Sequence, residues 1–166
     1  MTLSNKLELQ DQAKLLYDTE LQLWINKTIN QLENRQFEQL DIEHLIEELR
    51  DLGKSDKTSL ISNLKILIAH LLKLKVQFDA PETIKYSWYN SVDEHRERIQ
   101  DCLNDNPSFN NFLPEAIEKA YPNARKLAIK EGKRATRGIR IPQENDYLIS
   151  CPFTIKHLLD ENFYGI

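Results

Sequence analysis

Apolar side chains recur at intervals of three and four residues along most of this chain, and that spacing predicts helices. The first is expected from about Asp18, placed as an N-cap, to about Asn34, with Leu21, Trp24, Ile25, Thr28 and Leu32 on one face. A second begins near Asp41 and carries Ile42, Leu45, Ile46, Leu49 and Leu52. Gly53 stands where a C-terminal glycine would stop it, and Ser55 can cap the next helix. That third helix, about 56–78, has a wide apolar arc: Leu60, Ile61, Leu64, Leu67, Ile68, Leu71, Leu72 and Leu74. An arc of that width packs against several neighbours at once, so this helix is expected to be the central one.

A fourth helix is predicted from about Ser87 to Asn104, with Trp88, Val92, His95, Ile99, Cys102 and Leu103 together and Asn106-Pro107 ending it. After a short turn, a fifth starts at Pro114. Its stripe of Leu113, Ala116, Ile117, Ala120, Tyr121, Ala124, Leu127 and Ala128 keeps phase across Pro122, which predicts a kinked helix, not two. Residues 132–150 read as a loop, and Thr154 caps a short last helix within 151–163. Residues 1–14 read as a loose arm. The only hint of extended structure is near Ile139–Ile141. The expectation is an all-α, single-domain bundle of five or six helices.

Composition agrees. The chain has 166 residues, 40% hydrophobic and 29% charged, with only 4 Gly and 6 Pro, a balance that favours helices in one globular domain. Two cysteines, Cys102 and Cys151, make no metal-type pair and no disulfide scaffold, and are read as reduced thiols. The N-terminus lacks the apolar core of a signal peptide. The longest apolar stretch, 64–76, is cut by Lys65, His70, Lys73 and Lys75 and is too short and polar to span a bilayer. A soluble cytoplasmic protein without membrane contact is therefore expected.

Six segments in order resemble a known family: LYDTELQLW (16–24), LDIEHLIEELRDLGKS (40–55), LIAHLLKLK (67–75), SWYNSVDEHRERI (87–99), LPEAIEKAY (113–121) and CPFTIKHLLDENF (151–163). Together they are similar to the bacterial family called domain of unknown function twenty-nine, across about residues 14–164. The resemblance implies a compact helical fold and no particular activity. The chain departs from the family pattern at 130–140, KEGKRATRGIR, where the family has a short neutral or mildly acidic connection.

Four groups of residues have the right chemistry for a site. His44 lies three and four residues from Glu47 and Glu48, a spacing that lets side chains meet on a helix and suits metal binding or proton transfer. Helical geometry, however, puts His44, Glu47 and Asp51 opposite the apolar stripe, which predicts a solvated outer face. His70 sits with Lys73 at the edge of the central arc, and is expected to hydrogen-bond a neighbouring helix. His95, with Trp88 and Arg98 nearby, falls in the middle of an apolar face and needs a hydrogen-bond partner there, expected to be a carboxylate. The sharper version brings His70, His95 and Glu48 together between packed helices as a metal or proton-transfer site.

The fourth group is the basic segment 119–140. Lys119, Arg125, Lys126, Lys130, Lys133, Arg134, Arg137 and Arg140 stand there against Glu131 alone, in a chain whose net charge is −4. Concentrated positive charge suits nucleic-acid phosphates or an acidic protein surface, including the chain's own second helix. GxxxxGK, GxGxxG, GxSxG and HExxH are all missing, no cofactor is indicated, and no bound metal is called for.

Two function classes follow. The preferred one is a non-catalytic interaction module that meets a protein or nucleic acid through charged surfaces. The alternative is an enzyme acting on a phosphate-bearing substrate at a His/carboxylate site between helices, drawing on His44, Glu48, His70, His95 and Arg98.

Overall fold

A computed structural model of the protein describes residues 16–17, 19–135 and 141–165. The expected N-cap at Asp18, the loose arm 1–14 and the extended hint at 139–140 lie outside the described residues. Among the described residues, these α-helices follow one another: α1 (Leu21–Glu33), α2 (Ile42–Val76), α3 (Glu82–Asp105), α4 (Leu113–Ala135) and α5 (Ile155–Leu159). Short 3-10 turns occur at Phe37–Gln39, Pro107–Asn110 and Glu144–Asp146. No strand occurs among the described residues, so the all-α expectation holds. The chain divides into two compact units, Met1–Lys54 and Ser55–Ile166.

The second unit contains the apolar core. Leu60, Leu64, Leu67, Ile68, Leu71, Leu72 and Leu74 of α2 are sealed from solvent, as the wide arc predicted. Against them pack Trp88, Val92, Ile99 and Leu103 from α3, and Ala116, Ala120, Ala124 and Ala128 from α4. The alanine spacing gives α4 a smooth face, and Tyr147, Phe153 and Leu158 complete the core. Thr154 caps α5 as expected, its hydroxyl accepting from the His157 backbone N–H at 3.2 Å.

Several boundaries differ from the sequence pattern. The stop at Gly53 and the cap at Ser55 do not occur: α2 is one helix from Ile42 to Val76. A glycine ends a helix when it turns left-handed; Gly53 does not, since Gly165 is the only described glycine with positive φ. Gly53 stays helical at a local cost of about 1 kcal/mol relative to alanine. Helix α3 starts at Glu82, directly after Pro81, five residues earlier than expected. Pro122 lies on the exposed side of α4 without splitting it.

The predicted loop at 132–150 begins later, because α4 continues through Gly132 to Ala135. Gly132 is there for space: a Cβ would lie 2.5 Å from the Tyr147 hydroxyl oxygen and 3.2 Å from Pro142. The returning segment docks on α4 at that point. Tyr121 donates from its hydroxyl to Leu148 O at 2.6 Å, and Arg125 donates to Tyr147 O and Leu148 O at 3.1 Å each.

Candidate functional sites

In the first unit, burial runs opposite to the apolar pattern. His44, expected on a solvated face, is only 9% exposed, while Ile42, Ile46, Leu49 and Leu52 are 43–62% exposed. The reason is a small polar and aromatic cluster. His44 Nδ1 lies 2.6 Å from Oδ2 of Asp41, the residue just before α2. Tyr17 stacks on the imidazole with ring centroids 4.1 Å apart, and meets Trp24 edge-on at 5.1 Å. The Tyr17 hydroxyl donates to Glu48 Oε1 at 2.8 Å. That hydrogen bond is the chief reason the phenol is pushed up to about 12. Trp24 Nε1 reaches the same Asp41 oxygen at 3.4 Å. Asp41 therefore orients the ring through Nδ1.

On α1 the expected face holds in part: Trp24 and Thr28 are buried as expected and Gln31 joins them, whereas Leu21 and Leu32 are exposed.

In the second unit, His70, Lys73 and His95 belong to one interior polar group. Lys73 is 2% exposed; its ammonium lies 2.6 Å from Glu131 Oε2 and 4.8 Å from the centroid of the Trp88 ring. Burial pulls the Lys73 pKa down, and Glu131 opposes that shift. His70 falls from its ordinary 6.5 to about 4, first through burial and then through the Lys73 charge. Its Nδ1 is buried and unpartnered among the described residues, as is Oε1 of Gln77, whose amide donates to Gly132 O at 3.1 Å. His95 finds its partner in an amide, not a carboxylate: Nδ1 lies 2.8 Å from Asn63 Oδ1. Burial lowers its pKa as well. Arg98 is exposed and pairs with Glu94 at 2.6 Å on its own helix.

Thus the structure groups His44 with Glu48 in the first unit, and His70 with His95 in the second. Among the described residues no set of three or more His, Cys, Asp or Glu side chains is arranged to hold a metal ion. Burial raises the thiol pKa of both Cys102 and Cys151, which disfavours the thiolate form.

Sequence reasoning passed over Arg96, although the signal is there: it falls on the stripe Trp88–Val92–Arg96–Ile99–Leu103. It is 2% exposed, with Nε donating to Leu158 O at 3.1 Å and Nη2 to Phe163 O at 2.6 Å. Beside it lies a cleft of about 470 Å³ lined by Asp93, Glu97, Gln100, Glu161, Asn162 and Tyr164. Three carboxylates and a fully engaged arginine suit a phosphate-bearing molecule poorly. A smaller cleft of about 280 Å³ is lined by Leu72, Lys75, Val76, Asp146, Leu148 and Pro152, and most of its wall is polar. None of His44, Glu48, His70 or His95 lines either cleft.

The basic segment sorts into two sets. Lys119 pairs with Glu115 on its own helix and also lies 5.6 Å from the centroid of the Phe112 ring. Arg125 pairs with Glu144 at 3.2 Å while clamping the returning backbone. Lys126, Lys130 and Arg134 are exposed, lie one turn apart on α4, and make no ion pair among the described residues; Lys133 is exposed beside them. Arg137 and Arg140 lie outside the described residues.

The class defined by these features is an all-α protein with a helical core and no helix among the described residues long and apolar enough to cross a membrane. Within that class, the chain belongs to the family described as Domain of unknown function DUF29, which it matches over residues 16–164. No curated protein and no solved structure matches it.

Proposed function

We propose that this protein is a non-catalytic interaction module that binds nucleic-acid phosphates through the exposed face of α4. The observation that carries the reading is the ladder Lys126, Lys130, Arg134, exposed and without ion pairs among the described residues. Helical rise spaces these cations by about 6 Å, so they meet a repeating anion better than a single carboxylate. Lys133, and in sequence Arg137 and Arg140, extend the charge. The chain's overall −4 confines attraction for polyanions to this face. The two half-buried free thiols fit a reducing compartment, and we place the protein in the bacterial cytoplasm.

Fluorescence anisotropy with labelled single-stranded RNA and duplex DNA, run across a salt series, tests this reading. Three phosphate contacts give a log–log salt slope of about −3 on duplex DNA. Replacing Lys126, Lys130 and Arg134 by Glu abolishes that binding without changing the melting temperature. Absence of binding at low salt, or retention of an acidic peptide instead, sinks it.

A second reading rests on the Asp41–His44 contact of 2.6 Å, an oriented imidazole of the kind used in proton transfer. On that reading the protein is an enzyme acting on a phosphate-bearing substrate. Turnover of a generic phosphoester that is lost on His44→Ala and kept in the α4 triple variant distinguishes it from the binding module.

A further inference from the structure

The first half of α2 presents a surface with no cover among the described residues. Ile42, Ile46 and Leu49 fall within a narrow arc of the helix, with Leu52 at its margin, and all four are 43–62% exposed. From Leu49 to Ser59 no residue is buried, and only Asp56 is half-buried. This exposed span contains Gly53, which has nothing within 4 Å of where its Cβ would be. An isolated helix of about a dozen residues is marginal in water, and a central glycine weakens it by about 1 kcal/mol more. Such a span stays helical most readily when a partner covers it.

Charge indicates which partner. The first turns carry Glu43 and Glu47, both exposed, in addition to Asp41 and Glu48; the following turns carry Arg50, Lys54 and Lys57 against Asp51 and Asp56. The segment is therefore acidic at one end and mildly basic at the other. Turned end for end, it complements itself: Glu43 and Glu47 of one copy face Arg50 and Lys54 of the other, around a shared apolar seam. A two-fold axis makes both ends of the contact identical, and charges flanking an apolar seam set its orientation.

We propose that the strip Ile42–Ile46–Leu49–Leu52 is a self-association surface, on which a second copy of this chain packs its own α2 antiparallel. This goes beyond the reading of α4, since the residues are different and either can fail alone.

Sedimentation equilibrium of the full chain at high micromolar concentration tests it. The wild-type protein is a dimer. L49E/L52E is a monomer with unchanged far-UV circular dichroism, because both leucines are exposed in the single chain. E43K/E47K places cations against cations and weakens association by roughly tenfold. Adding R50E/K54E to that variant restores association, as only an antiparallel contact requires. A monomeric wild type overturns the proposal and leaves the strip to another partner. A dimer indifferent to L49E/L52E, or a four-charge swap that associates no better than E43K/E47K, also overturns it.

Discussion

Arg96 on α3 donates from Nη2 to the carbonyl of Phe163 at 2.6 Å, joining positions 67 residues apart. The same guanidinium reaches Leu158 O and Glu161 O, and lies 5.5 Å from the centroid of the Tyr164 ring, whose hydroxyl donates to Asp93 at 2.7 Å. One buried cation thus organises the end of the described chain. Gly165 continues that docking with φ +92, where a Cβ would lie 2.6 Å from Leu71 O.

Removing this cation leaves three carbonyls with no donor. Arg96→Ala is therefore expected to destabilise the protein by about 3–5 kcal/mol. Arg96→Lys keeps the charge but not the planar fork that serves several acceptors, and recovers less than half of the loss. Urea midpoints measure the loss, and limited proteolysis after residue 154 reports release of the segment. A lysine variant as stable as wild type would show that charge alone holds the chain end.

Two glycines in helices should respond to alanine with opposite signs. Gly53→Ala adds a methyl group to open space in an exposed helix, and stabilises by about 0.5–1 kcal/mol. Gly132→Ala gains the same propensity but drives its Cβ to 2.5 Å from the Tyr147 hydroxyl oxygen in a closed core. Overpacking of that kind costs about 1–3 kcal/mol and outweighs the gain. Thermal melts of the two variants side by side decide the matter; stabilisation of both would mean that the Tyr147 contact is soft.

The contrast between these glycines also shows what was legible in the chain. Periodicity identified the helical stretches, though it read α2 as two helices, and the buried arc from Leu60 to Leu74, because burying that much apolar surface leaves few alternatives. A stop at Gly53 was not decidable locally, since a glycine permits a left-handed turn without requiring one. The face of His44 was misjudged for a different reason. An apolar stripe normally points inward, and only the arrival of Tyr17 and Trp24 from elsewhere in the chain makes the polar side the buried one. Arg96 was readable as a cation on an apolar stripe; its partners, 62 to 67 residues away, were not.

His70 makes stability depend on acid. Around its ring are Lys73 and His95, which disfavour its protonation, and Glu131, which favours it. Burial dominates and lowers the pKa from 6.5 to about 4. The unfolded chain therefore takes up this proton at a higher pH than the folded one. Stability from His70 is complete above about pH 6.5 and drains away as pH falls toward 4. The loss is about 2 kcal/mol, less than the full shift implies because part of the ring meets solvent. His95, also lowered by burial, adds a slope of the same sign. Glutamine at position 70 cannot titrate, so His70→Gln should lose less stability than wild type between pH 7 and pH 4.5. Urea midpoints at the two pH values give the difference, and a proton NMR titration of the His70 ring gives the pKa directly. An equal loss in both proteins, or a His70 ring titrating near 6.5, would place the acid sensitivity elsewhere.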